Sequence, residues 1–163
     1  MDLALPASFA LSLAQELNSQ FTLLADITWT DWSTFQELRV IYDTPSPPTT
    51  VIPERWDDTF RYSVGGRYAL NDTFVLRAGL VHDEAAVDDP EYVSPRIPET
   101  TRTWVTVGGQ WRVSDQFSID AAYARVMGQD GSIDNSSHSA GQILRGDTKG
   151  SAHIISVGGS YRF

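Results

Sequence analysis

The sequence predicts an antiparallel transmembrane β-barrel of the outer-membrane type, with about seven strands in a single segment over residues 1–163. Three observations predict it. Apolar and polar side chains alternate along each segment, tight turns alternate with long polar connections, and the chain ends in an aromatic residue, Phe163. Because lipid cannot satisfy unpaired strand edges, spanning strands must close into a barrel.

Composition excludes several other classes. No stretch approaches about 18 consecutive apolar residues, so no transmembrane helix is predicted. The formal net charge of −9 argues against a nucleic-acid partner. The absence of cysteine removes thiol catalysis and cysteine-bound metal. Residues 1–6 contain no basic region followed by an apolar run, so we identify no secretion signal and expect a mature, processed or incomplete chain.

A repeated motif divides the chain into hairpins. The segments that start at Arg61, Thr103 and His153 share a core of an apolar residue, two glycines, any residue and an aromatic residue. The predicted turns are small polar pairs that tolerate positive φ: Asn18-Ser19, Asn71-Asp72 and Ser114-Asp115. Long polar connections at 43–58, 83–102 and 127–149 lie at the other end, which we predict to be external.

Seven strands follow from the alternation, at 7–17, 20–42 with a kink near residues 33–34, 59–70, 73–82, 103–113, 116–126 and 151–163. Single-chain bacterial barrels have even strand counts. The odd count therefore predicts the C-terminal part of a larger barrel.

The two faces of these strands differ. Leu76 and Val107 belong to an outward set that is apolar through the middle. The opposite set is charged or polar and consists of Glu16, Asp26, Arg61, Arg67, Arg77, Gln110, Arg112, Asp120 and Arg162. A dry core holds such charges only as well-paired ions, whereas a wet lumen accepts them. This favours a membrane barrel over the alternatives, a soluble sandwich or a lipocalin-like barrel.

The segments that start at Thr22, Trp56 and Ser94, together with the Tyr-Arg-Phe ending, resemble the C-terminal half of the long-chain fatty acid outer-membrane transporters, the FadL/TodX-like proteins. The resemblance implies a fourteen-stranded barrel of the Gram-negative outer membrane, plugged by an N-terminal hatch, that takes up fatty acids or other small hydrophobic compounds passively. The hatch and the first strands have no counterpart here, so this segment alone is not expected to transport.

The resemblance also implies partners and sites. We expect contact with outer-membrane lipid, with a fatty acid or other hydrophobic small molecule and with the barrel-assembly machinery, for which Tyr161 and Phe163 resemble the terminal signal. A fatty acid needs an apolar pocket and a cation for its carboxylate. The candidate ligand-binding residues are the lumen-facing arginines Arg61, Arg67, Arg77 and Arg112. The competing interpretation is that they pair with Asp26, Asp120 and Glu16.

No catalytic motif, cofactor motif or metal-ligand spacing is present, so we predict no enzyme, no cofactor and no metal. His82, His138 and His153 are far apart and are interpreted as loop or strand-end residues. Trp29 and Trp32 fit either interface anchors or stacking residues in a ligand site. The alternative function is a small, non-transporting outer-membrane barrel with a structural or adhesive role that displays its long external loops.

Overall fold

The computed structural model describes residues 5–42, 49–95, 99–135 and 143–163. Its centre is an antiparallel seven-stranded sheet in the order β1-β2-β5-β6-β7-β8-β11. These strands are β1 (Ser8–Glu16), β2 (Phe21–Thr30), β5 (Thr59–Ala69), β6 (Phe74–Asp83), β7 (Arg102–Arg112), β8 (Phe117–Gly128) and β11 (Ser151–Tyr161). The all-β, antiparallel prediction is confirmed, and each predicted strand corresponds to one of these seven. The sheet is open, with β1 and β11 at its two edges.

The three predicted turns lie where the sequence places them, but they do not use positive φ. Among the described residues other than glycine, Arg55 alone has a positive φ, of 46°. Instead a side chain closes each turn. Asn71 Oδ1 accepts hydrogen bonds from the backbone N–H groups of Thr73 and Phe74, at 2.9 and 2.8 Å. Asn18 and Ser114 accept equivalent pairs. Short polar side chains can therefore stabilise these turns without a left-handed residue.

The predicted strand at 20–42 is wrong as one strand, although its kink is correctly placed. β2 ends at Thr30, and a short 3-10 helix spans Trp32–Thr34. The Ser33 hydroxyl donates to Asp31 Oδ1 at 2.9 Å, and the Thr34 hydroxyl donates to the Asp31 carbonyl at 3.0 Å. These local side-chain bonds compete with the strand ladder, so the chain turns away from the sheet.

The chain forms two small hairpins that the sequence did not reveal. β3 (Glu37–Val40), which falls in the last part of the predicted strand at 20–42, pairs with β4 (Thr50–Pro53) in the first connection. β9 (Gly131–Asp134) pairs with β10 (Arg145–Thr148) inside the third. No helix in the described part of the chain has the length and apolar character needed to cross a membrane.

The glycine repeat has a packing reason. A Cβ added to Gly66 would lie 2.9 Å from Cε2 of Phe21 on β2, and one added to Gly159 would lie 3.4 Å from Cε2 of Phe117 on β8. In both places the aromatic ring of a neighbouring strand covers the glycine. The repeat therefore makes space for a ring on the outward face of the sheet.

The connections at the long-loop end pack into a cap with its own small core. Trp56, Ala86, Val87, Val93 and Ile133 are buried together. Backbone bonds join the segments: the Asp57 N–H donates to the Ala86 carbonyl at 2.7 Å, and the Asp134 N–H donates to the Pro90 carbonyl at 2.8 Å. The cap therefore connects three stretches that are far apart in sequence.

Candidate functional site

A recess of about 370 Å³ lies where the inner face of the sheet meets the cap. Strands β2, β5, β6 and β7 all contribute to it, because alternation turns the even positions of β2 and β7 and the odd positions of β5 and β6 to the same side. Charged side chains from the strand ends and two tryptophans from the cap line it. The recess is thus a pocket at the long-loop end of the inner face.

Arg102 is the anchored cation of this recess. Its Nη2 lies 2.9 Å from Glu99 Oε1 and 3.3 Å from Asp83 Oδ2. Its Nε is buried and has no hydrogen-bond partner. Burial raises the pKa of the Glu99 carboxyl, Arg102 opposes that shift and Asp83 adds to it. The ion pairs of Arg102 with Glu99 and Asp83 are therefore structural contacts at the base of the cap.

Arg61 is the available cation of the same recess. It lies opposite Asp83 and Thr28 in the strand register, yet Asp83 bonds to Arg102 instead. In the described part of the chain, the Arg61 guanidinium makes no hydrogen bond or ion pair, and the side chain is exposed. An unpaired guanidinium in a recess is a donor fork that suits a carboxylate.

The apolar wall of the recess comes from Trp32 and Trp56, whose ring centroids are 5.0 Å apart in an edge-to-face arrangement. Phe35 packs on the other side of Trp56 at 4.9 Å. Trp29 lies instead on the outward face in register with Phe60, as expected of an interface anchor. Trp29 and Trp32 are close in sequence but therefore occupy different environments, the outward face and the recess.

The remaining candidate arginines differ in their pairing. Arg77 Nη1 lies 3.1 Å from Asp120 Oδ1, the kind of contact that the competing interpretation of structural pairing expects. Among the described residues, the guanidinium groups of Arg67 and Arg112 form no ion pair. Asp26 is satisfied by hydroxyls, since Ser12 donates to it at 2.6 Å and Thr28 at 3.1 Å.

A second, wider recess of about 770 Å³ opens at the tight-turn end of the inner face. Arg112 and Arg162 both line it, as do Tyr161 and Phe163. The rings of Tyr161 and Phe163 are in edge-to-face contact at 5.4 Å. Of the four candidate arginines, Arg61 therefore lies at one mouth and Arg112 at the other, with Arg67 and Arg77 between them on facing strands.

Sequence reasoning missed Trp56, Glu99 and Arg102. Arg102 falls on the inner face by the same alternation that identified Arg112, so that signal was available. Glu99 and Trp56 lie in connections, where alternation gives no information.

The histidines and carboxylates do not form a metal site in the described residues, because no group of three of them is arranged to hold an ion. His82 and His153 lie near the strand ends that adjoin the long connections, whereas His138 lies outside the described residues.

A family model described as "Outer membrane protein transport protein (OMPP1/FadL/TodX)" matches residues 1–163. The chain is 29% identical over its whole length to the 47 kDa outer membrane protein of Pasteurella multocida, of which it covers 36%. It is 25% identical over 79% of its length to the long-chain fatty acid transport protein of Escherichia coli, of which it covers 28%. The chain thus spans about a third of the length of these relatives.

Solved structures agree with the fold. A FadL homologue from Pseudomonas aeruginosa superposes with a TM-score of 0.84 and 27% identity, over 96% of this chain and 35% of that one. The P. putida toluene transporter TodX gives a TM-score of 0.68 at 22% identity, over 99% of this chain and 36% of that one, which supports the fold alone. The seven-stranded sheet is therefore of the outer-membrane barrel type and crosses an outer membrane.

Proposed function

Because the chain belongs to the outer membrane protein transport family (OMPP1/FadL/TodX), we propose that it is part of a channel for the passive uptake of hydrophobic compounds and that long-chain fatty acids are its substrates. The observation that carries the proposal is the unpaired Arg61 beside Trp32 and Trp56 in the recess under the cap. A fatty acid has one anionic head and one apolar tail, and this recess offers one partner for each.

The charge pattern of the inner face supports an anionic ligand. Arg61, Arg67 and Arg112 are free of carboxylate partners in the described part of the chain and are spread from the outer mouth to the tight-turn end. Arg77 is held by Asp120 and contributes its donors only if that contact opens. We propose Arg61 as the first contact of the carboxylate, followed by the other three.

The experiment is initial-rate uptake of oleate by cells that express the full-length protein from its own gene and lack other fatty acid transporters. Arg61→Gln should lower oleate uptake about fivefold, because an Arg–carboxylate contact at a partly exposed site contributes roughly 1 kcal/mol. Arg61→Lys keeps the charge but not the guanidinium fork and should retain only part of the rate. The matched control is Arg39→Gln. Arg39 lies on β3, and its Nη2 is 2.6 Å from Glu37 Oε1.

An uncharged hydrocarbon of similar length serves as the second substrate. Its uptake should be unchanged in Arg61→Gln, since no carboxylate is involved. Equal oleate uptake in the Arg61 and Arg39 variants would refute the role of Arg61. Absence of uptake of both substrates by the unaltered protein would instead favour the non-transporting barrel with a structural or adhesive role.

A further inference from the structure

One charged side chain lies on the face of the sheet that contacts lipid. Arg125 of β8 is opposite Val105 of β7 and His153 of β11, and all three point outward. At the outward positions of the seven main strands, Arg125 is the only Lys or Arg and no Asp or Glu occurs. A charge on this face costs about 2–4 kcal/mol at the bilayer midplane and about 0–1 kcal/mol near the interface. The depth of Arg125 in the bilayer therefore decides whether its charge destabilises the protein strongly or hardly at all.

Arg125 lies at the level of the outer headgroups. It is eight residues along β8 from Phe117, where the strand begins at the tight turn. At about 3.3 Å per residue and a tilt of about 40°, this separation is roughly 20 Å along the membrane normal. A spanning strand needs about 9–11 residues, so Arg125 is near the external boundary, and its long side chain can extend further towards water.

Two neighbours hold the guanidinium in place. Arg125 Nη1 lies 2.9 Å from His153 Nε2, and His153 Nδ1 lies 2.7 Å from the Tyr123 hydroxyl. Arginine can only donate, so Nε2 accepts and the neutral ring carries its proton on Nδ1. Nδ1 then donates to the Tyr123 oxygen, which leaves the phenolic hydrogen free. The cluster therefore presents guanidinium and hydroxyl donors to an incoming acceptor.

The described residues place no carboxylate against the Arg125 guanidinium. Within the part of the chain that the structure describes, Arg125 forms no ion pair with a carboxylate. Its side chain is exposed. An outward-facing cation at headgroup level meets the lipid of the leaflet before any other partner.

We propose that Arg125 and Tyr123, held in place by His153, bind the phosphate of an outer-leaflet lipid. A guanidinium fork matches phosphate oxygens with two parallel hydrogen bonds, and the Tyr123 hydroxyl adds a third donor. Below the cluster, Ile155 and Val157 are 79% and 73% exposed on the same face and offer an apolar surface to the acyl chains. The site therefore has one part for the head and one for the tails of a phospholipid or phosphorylated glycolipid. This inference depends on the membrane location and orientation of the sheet and not on the transported substrate.

Native mass spectrometry of the full-length protein in a nonionic detergent tests the proposal. The probes are lipid A, a glycolipid with two phosphates, and the same lipid after enzymatic removal of its phosphates. The unaltered protein should bind lipid A about fivefold more tightly than it binds the dephosphorylated lipid, because a cation near the headgroups contributes about 1 kcal/mol. Arg125→Gln and Arg125→Leu should both lose this preference, and Arg125→Lys, which keeps the charge but not the guanidinium fork, should keep only part of it.

Arg39→Gln is the matched control and should bind both lipids as the unaltered protein does. Thermal melting verifies that the Arg125 variants are folded, which is expected because a neutral residue suits the lipid face. Full retention of the preference in Arg125→Gln and Arg125→Leu would overturn the proposal. Displacement of lipid A by inorganic phosphate at the same concentration would also overturn it, since the site would then recognise free phosphate.

Discussion

Arg77 on β6 bonds to Asp120 on β8 across the whole width of β7, with 3.1 Å between Nη1 and Oδ1. The two residues are 43 positions apart in sequence. Gly108 of β7 lies opposite Arg77 and has no side chain to obstruct the crossing. Gln110 of β7 donates to the other oxygen of Asp120 at 3.0 Å. One carboxylate thus connects three strands on the inner face.

This contact should stabilise the barrel only slightly. The Arg77 and Asp120 side chains are 47% and 33% exposed, so water and salt screen the pair. A double-mutant cycle with Arg77→Gln and Asp120→Asn should give a coupling energy below about 1 kcal/mol in folding titrations of the full-length protein into lipid vesicles. The coupling should shrink in high salt. A coupling of several kcal/mol that salt does not change would mean that the inner face is dry.

Substitution of Leu76, the residue that precedes Arg77 on β6, should have a much larger effect on stability. Leu76 is on the outward face and 49% exposed, and its register partners are Tyr68 and Gly109. Leu76→Arg should destabilise the protein by roughly 2–4 kcal/mol if it lies near the bilayer midplane. The same vesicle titration measures this, with Arg77→Gln as the control. If both variants unfold at the same denaturant concentration, the two faces have been assigned the wrong way round.

The long connections should be external and the tight turns periplasmic. Asp88 is an exposed residue of the cap, and Asn71 closes a tight turn at the other end of β6. In a cysteine-free parent, Asp88→Cys should react with a membrane-impermeant maleimide on intact cells, and Asn71→Cys should react only after permeabilisation. Reaction of Asn71→Cys alone on intact cells would invert the topology.

The main sheet was predictable because its signal is local. Alternation with period two assigns each residue to a face from its immediate neighbours, so the strands and the inner position of Arg61 followed from the sequence. The cap was not predictable, since its contacts join residues such as Ser33 and Asp58, 25 positions apart, through a side chain in a loop. No periodicity links such residues.

The candidate site was also only partly predictable from the sequence. Asp83 has an arginine opposite it on each side, Arg61 on β5 and Arg102 on β7. Register alone does not decide which of them it pairs with. The choice of Arg102 depends on Glu99, which approaches the same guanidinium from the preceding connection. The sequence could therefore identify Arg61 as a candidate, but only the structure shows that it is the unpaired member of the two.

The stability of the cap should fall as pH rises above the ordinary Glu99 value of 4.5. Burial raises the pKa of this carboxyl in the folded protein, so the folded state retains a proton that the unfolded state has already lost. In that window the unfolded state binds fewer protons, and stability decreases as pH increases. Glu99→Gln mimics the protonated carboxyl and should remove this dependence. Because the Arg102 charge opposes the effect of burial, the change in stability should be below about 1 kcal/mol.

Hydrogen exchange of the cap amides at residues 85–93 measures the effect, expressed as protection relative to the unfolded chain at each pH. Protection in Glu99→Gln should exceed that of the unaltered protein at neutral pH, and the difference should disappear as pH approaches 4.5. Asp58→Asn is the contrasting variant, because the Ser33 N–H lowers the pKa of Asp58 and its stabilisation is instead lost as pH falls. Lower protection in Glu99→Gln than in the unaltered protein at neutral pH would instead show that the Arg102 ion pair outweighs burial at this carboxyl.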